Sequence, residues 1–534
     1  MINRHDNYFP SAALVVLVAL CLLLLPWLGL TLFYSKGEPR EAVVAMSMLQ
    51  SGDWILPVSY GGDMPYKPPF VAWIIAALAK LLNGGTVNEY ISRLPSAIAA
   101  IAMIMGGFSW ARRIRGDRFA VIFSFVTIGS FEVFRASVAC RLDMVLTACM
   151  VGAIYIMYEI REGKRRHKWP LYLAVILLLT CATLTKGPVG ALLPCMVIGV
   201  YKLFRHDNFF ATFFGMLGLA AVALGLSAWW YYLAWVEGGD NFYNLMYEEN
   251  IGRLLGQMSY GSHVKPLWYN FATLALGLLP WTVLLLALCF GRRRGPLLPH
   301  MQTAGLLCVV AAVVIIGFYC IPESKRSVYL LPAYPFICYG ITSAIEAKAT
   351  SKAVRFFAWF IALIAIAAPM IIIAAQIWAV PGLSLAPVPW WGYILLLLPL
   401  AAGIAWIANR HSPVGHIVVA VWAIYMAYLS AGMPAVLNPR SDFRAIERLQ
   451  ALQAPEIVSI NTDWAHRFYS LNFYLGDRLR ALDTPADAIA LPTGSAVLYP
   501  LHSDTTGLSP YFRFEPLLDR SADHRDAIGL AIRQ

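Results

Sequence analysis

SAALVVLVALCLLLLPWLGLTLF, residues 11–33, is an apolar run without a single charge. At 1.5 Å per helical residue it is long enough to cross the ~30 Å hydrocarbon core of a bilayer. Nothing after it reads as a cleavage site, so it is a retained first span rather than a signal peptide. Directly behind it comes GEPREA, residues 37–42, and thirty residues on YKPPF, residues 66–70. The first crossing is thus followed by a long segment that carries charges.

The rest of the chain agrees with a membrane reading. Of 534 residues, 59% are hydrophobic and 13% charged, against about 25% charged in soluble domains; the mean hydropathy is +0.63. The nine cysteines lie within or at the ends of apolar segments and form no CxxC pair. Neither a disulfide framework nor a zinc knuckle is indicated. The net charge of +11 does not point to nucleic acid, because the stretch from Arg440 onward holds 10 Lys/Arg and 12 Asp/Glu. The basic excess lies in the membrane part, where it sets orientation.

Further apolar runs fall at 95–111, 119–134, 138–158, 169–185, 187–201, 209–235, 267–290, 301–320, 327–345, 356–379, 391–408 and 413–432, giving 13 expected spans. Residues 68–82 are short, open with two prolines and contain Lys80; a helix lying in the interface suits them better than a crossing. With this count every basic cluster (Arg112 to Arg118, Arg161 to Lys168, Lys202 and Arg205, Arg292 to Arg294, Lys348 to Arg355) falls on one side. By the positive-inside rule that side is cytoplasmic, the N-terminus with it, and the C-terminus is external. After about residue 436 a helical stretch (SDFRAIERLQAL) and β-like runs (456–460, 495–500) predict a small α/β domain. The expected division is 1–435 for the membrane part, with an external first loop 34–94, and 436–534 for the external domain.

The external face gathers the residues that could carry chemistry. Glu38 and Glu41 flank Pro39 at the start of a helix, where acids complement the dipole; Arg40 lies between them. Lys67 precedes Pro68 and Pro69, which hold the backbone extended, so its ammonium suits a lipid phosphate, with snorkelling the plainer account. Arg141 and Asp143 open a span in CRLDMVLTACM; a carboxylate so near hydrocarbon is a functional candidate, a local ion pair its alternative. Lys186 sits beside Gly187 and Pro188, where the backbone breaks. Residues 236–266 bring Glu248, Glu249, Arg253 and His263, without the HExxH spacing of a metal site. Lys325, Arg326 and Tyr329 stand at the mouth of another span. Cations with a few carboxylates on one face fit an anionic lipid carrier and a general base.

In order along the chain, GEPREAVVAMSMLQSGDWILPVSYGGDMPYKPPFVAW, SRLPSAIAA, RLDMVLT, TLTKGPVGALLP and SKRSVYLLPAYP resemble the GT-C membrane glycosyltransferases. Among these they are most similar to the lipid A aminoarabinose (4-amino-4-deoxy-L-arabinose) transferases, relatives of the protein O-mannosyltransferases. The resemblance runs from about residue 30 to 345 and implies an all-α polytopic membrane fold of about 13 helices with a small C-terminal α/β periplasmic domain. It also implies transfer of a sugar from polyprenyl (undecaprenyl) phosphate, with inversion, in the bacterial inner membrane. Lys67 matches the lysine that contacts the carrier phosphate, Arg253 and Tyr329 fall where its other ligands lie, and Lys325 is expected to bind the phosphate with them. Gly37 replaces the family's acidic residue, which leaves Glu38 as the nearest carboxylate and Asp143 as the alternative. Arg40, Arg141 and Lys186 are supporting residues. Tyr66 stands where some relatives have a metal ligand; no cofactor is expected, and a divalent metal is not supported by the residues. The acceptor is lipid A, another glycan or a protein. The rival from another class is a flippase or transporter of lipid-linked sugars, for which inverted repeats and mid-membrane charges are missing.

Overall fold

The computed structural model describes residues 9–34, 37–59, 62, 64–65, 67–163, 167–252, 264–290, 303–378, 384–441, 443–460, 469–482, 484–501, 508–518 and 527–534. Among them nine helices are long and apolar enough to cross a membrane, or eleven when two sharply bent helix pairs are each taken as one span. The shorter apolar helices Ser11–Trp27 and Val189–Phe204 fall on the first and sixth expected spans. Each of the thirteen expected crossings therefore has a helix or a bent pair upon it, and the chain is a multi-pass helical membrane protein.

The bends have identifiable causes. Asp117–Ile128 and Phe131–Ser137 meet at 73°, Trp268–Gly277 and Trp281–Leu288 at 102°. The first breaks at Gly129, where a Cβ would sit 2.8 Å from Trp281 of the second pair. Past that break the Phe131 amide donates to Leu279 O at 2.9 Å, so backbone freed by one bend is satisfied by the other.

Phe70–Leu82 is a shorter apolar helix of 13 residues, about 20 Å long. Val71, Ala72, Ile75, Ala76 and Ala79 are buried, whereas Leu81 and Leu82 are exposed. Its apolar stripe packs on Ala42, Val43, Ala45 and Met48 of Arg40–Ser51. The first loop thus contains a pair of short helices with a core of their own.

Phe209–Tyr247 carries its 39 residues over about 58 Å, nearly twice the thickness of the hydrocarbon core. Its far half is ringed by exposed Trp229, Tyr232, Trp235 and Tyr243, the aromatic signature of a membrane–water interface. Gly239 departs from helical geometry at φ 55° and bends it. It runs on into a π-helical turn, Glu248–Gly252.

The C-terminal region holds a five-stranded sheet. Its strands are β1 (Ile457–Ile460), β2 (Arg480–Leu482), β3 (Ala496–Pro500), β4 (Phe512–Leu518) and β5 (Ile528–Arg533). Their order is β2-β1-β3-β5-β4. β1 lies parallel to β2 and β3, while β5 runs antiparallel to β3 and β4. Phe443–Ala451 covers one face through Ala445, Ile446 and Leu449. The region is pinned to the first loop: Ser47 Oγ donates to Asp477 at 2.7 Å, and Tyr474 OH accepts from the Phe33 amide at 2.9 Å.

Candidate active site

The first loop is seated on the long helix before any charge is placed. Trp230 Nε1 donates to Ile55 O at 2.9 Å, Trp73 stacks on Trp229, and Leu56 packs against Trp230 and Phe242. This docking carries the loop's Pro-Pro corner to the end of the long helix. There Lys67 Nζ meets Glu249 Oε2 at 2.7 Å, across 182 residues of chain. The Glu249 side chain is fully buried and that of Lys67 is 12% exposed. A carboxylate so enclosed needs its cation close by.

A second pair stands at the mouth of the bundle. Asp143 lies in the first turn of Leu142–Glu162, and Lys186 closes Trp169–Lys186. Their side chains meet at 2.5 Å, each partly open to solvent. The Lys186 ammonium also rests over the Tyr329 ring, 4.4 Å from its centre, and Tyr329 packs on Tyr319. The charges of Arg141 and Arg326 both reach Asp143. Among the described residues the Arg141 guanidinium has no salt-bridge partner within 4.0 Å, which leaves it available to an anion.

A glycine brings the two pairs together. Gly187 follows Lys186 with φ +93°, and a Cβ there would lie 2.8 Å from Oδ1 of Asn250, the neighbour of Glu249. The π-turn therefore rests directly on the turn that presents Lys186. Only a residue without a side chain allows both the positive φ and this approach. Lys67, Glu249, Asp143, Lys186 and Tyr329 consequently share one end of the bundle.

Glu38, expected as a catalytic carboxylate, has other company. Its Oε1 accepts from Arg93 Nε at 2.8 Å and from the Cys140 amide at 3.2 Å. Arg93 is fully buried, with Nη1 donating to Leu28 O and Thr31 O and its plane over Phe33. One guanidinium thus ties the end of the first helix, the first loop and the corner before Asp143. Arg40 pairs with its neighbour Glu41 at 2.7 Å, and the buried Lys325 donates to Pro322 O at 2.7 Å. Arg253, Tyr66 and His263 lie outside the described residues. Among those described, no group of three or more His, Cys, Asp or Glu is placed to hold a metal ion.

Three features were not assigned a role from sequence. Glu249 stood among four ionisable loop residues with nothing to single it out. Arg93 precedes the apolar run 95–111 and falls in the first loop expected from sequence, so only the helix Glu89–Arg115 shows it buried in the bundle. Glu132 and Arg135, paired at 2.6 Å in Phe131–Ser137, reach Ser327 beside Tyr329 and sit in a run that reads as one apolar span.

Comparison with known proteins bears on this arrangement. Residues 66–232 match the profile of a family described as dolichyl-phosphate-mannose-protein mannosyltransferase. The chain is 26% identical over 434 residues to an undecaprenyl phosphate-alpha-4-amino-4-deoxy-L-arabinose arabinosyl transferase 2 of Proteus mirabilis, covering 76% of this chain and 74% of that one. It is 24% identical over 344 residues to an uncharacterized protein of Aquifex aeolicus, covering 64% of this chain and 65% of that one, just under two thirds of the relative's length. In structure it is similar to ArnT from Cupriavidus metallidurans bound to undecaprenyl phosphate, with TM-score 0.73, 21% identity and 98% of both chains covered. The chain thus has the GT-C fold of the membrane glycosyltransferases, and enzymes of that type are among its sequence relatives.

Proposed function

We propose that the chain is a glycosyltransferase that moves a sugar from a polyprenyl phosphate to an acceptor at the outer face of the inner membrane, with inversion at the anomeric carbon. Lipid A or a related glycolipid is the acceptor implied by the motif resemblance, with protein the alternative; the arabinosyl transferases' names give the donor and its sugar. The observation that carries the reading is the meeting of Lys67–Glu249 and Asp143–Lys186–Tyr329 at one end of the bundle, through Asn250 and Gly187. In this reading Lys67, Arg253 and Tyr329 hold the carrier phosphate, with Lys325 shaping the turn beside them. Asp143 takes the proton of the acceptor hydroxyl as its oxygen bonds to the anomeric carbon. The bond from that carbon to the phosphate oxygen breaks, and its electron pair leaves with the phosphate, whose charge the cations stabilise. The burial of Glu38 beneath Arg93 supports a holding role for that carboxylate. Arg141 and Lys186 orient Asp143 and the anion. The N-terminus is cytoplasmic, residues 1–435 form the membrane part, and the first loop and residues 436–534 are external. Purified protein given a radiolabelled undecaprenyl-phosphate sugar and lipid A is the test. Label recovered in lipid A supports the reading; label moved across a vesicle with no new bond would make the chain a transporter.

A further inference from the structure

We infer that Glu249 is a resident counter-anion for Lys67, which competes with the carrier phosphate and speeds departure of the spent carrier. This rests on the reading above that Lys67 takes that phosphate. The Glu249 side chain is fully buried, 2.7 Å from Lys67 Nζ, and such a charge is too costly to leave its cation for apolar surroundings. An ammonium has three donors, so phosphate can bind while the carboxylate stays, at the cost of repulsion between two anions. The repulsion is unequal along the reaction. The sugar-loaded carrier is a phosphodiester with one negative charge. The spent carrier is a phosphomonoester whose second proton leaves near pH 6, giving a charge of about −1.5 to −2 at pH 7. Glu249 therefore weakens the product's hold on Lys67 more than the donor's. Its place supports this work: the π-turn Glu248–Gly252 carries it, and Asn250 of the same turn abuts Gly187 next to Lys186.

The experiment uses the full chain in detergent micelles, with undecaprenyl phosphate as the product probe, and measures its inhibition constant together with the donor KM. Glu249→Gln is expected to tighten inhibition by undecaprenyl phosphate about tenfold and to lower the donor KM by a smaller factor. Glu249→Met, a second neutral variant, covers the case in which the glutamine variant does not fold, and should shift both constants the same way. Glu249→Asp keeps the charge and should stay within about twofold of the parent. A folded neutral variant with unchanged or weaker product inhibition overturns the inference. Lys67→Ala separates it from the reading beneath it. If that variant loses undecaprenyl phosphate while Glu249→Gln changes nothing, the counter-anion role fails alone; if it binds normally, the phosphate site itself is elsewhere.

Discussion

Lys186 Nζ lies 2.5 Å from Asp143 Oδ1, joining the last turn of one helix to the first turn of another. The same ammonium rests over the Tyr329 ring. One lysine thus touches both the group that would accept a proton and a group that would face the carrier phosphate. Asp143→Asn preserves shape and removes the charge, and transfer by the purified protein should fall roughly 10²-fold or more with donor KM little changed. Full activity of this variant would remove Asp143 from the chemistry.

Lys67→Ala should weaken carrier binding by a charge-assisted contact of about 1.5–3 kcal/mol and slow transfer about tenfold or more. A lysine at a loop corner ordinarily contributes little to folding, but this one compensates a buried carboxylate. The single variant should therefore also lose about 3 kcal/mol of stability. Lys67→Ala with Glu249→Gln should recover most of that loss by thermal unfolding in detergent while its transfer stays about tenfold or more below the parent. A double variant as unstable as the single would mean that the pair does not couple.

Glu38→Gln strips the charge from a carboxylate held by a fully buried guanidinium. Breaking such a pair costs about 3–5 kcal/mol, so the melting temperature should drop clearly. Transfer per folded molecule should fall less than about tenfold, below what loss of a general base brings. A variant that melts normally but has lost 10²-fold in turnover would make Glu38 the base instead.

Gly187→Ala places a Cβ 2.8 Å from Asn250 Oδ1 at a φ of +93°. The strain amounts to about 1–3 kcal/mol and falls on the contact between the π-turn and the Lys186 turn. Turnover should fall about tenfold, whereas Gly215→Ala, with open space around its Cβ, should be neutral. Equal activity in the two would show that the contact has no part in catalysis.

Tyr474→Phe removes the hydroxyl that accepts from the Phe33 amide and donates to Glu89 at 2.7 Å. Leaving these groups without it should cost about 1–3 kcal/mol and loosen the C-terminal region from the first loop, seen as faster proteolysis after residue 436. Burial first, and then the Glu89 charge, push the Tyr474 phenol above its ordinary value. The folded state therefore binds this proton more tightly. Its contribution is complete below the ordinary tyrosine pKa of about 10 and is lost as pH rises above that, a loss that Tyr474→Phe should not show.

The membrane architecture was legible because lipid imposes a one-dimensional rule: a crossing helix needs about twenty apolar residues in a row. The one-sided basic clusters supported the same count, and Phe70–Leu82 is indeed a helix too short for the ordinary span length. Lys67 and Asp143 were also readable, since a cation beside a rigid Pro-Pro corner and a carboxylate at a span end are both costly unless used. Their partners were not. Lys67 finds Glu249 182 residues away, and that choice depends on Trp230 and Leu56 docking the first loop on the long helix. Glu38 was expected as the catalytic carboxylate because it stands next to Gly37, yet its side chain turns to Arg93. A guanidinium buried in the bundle demands a counter-charge, and the carboxylate within reach supplies it. Which residues are ionisable and which face they leave the membrane on follow from local sequence; which opposite charge each one meets is decided by packing, because burial raises the cost of an unpaired charge far beyond anything a single segment can encode.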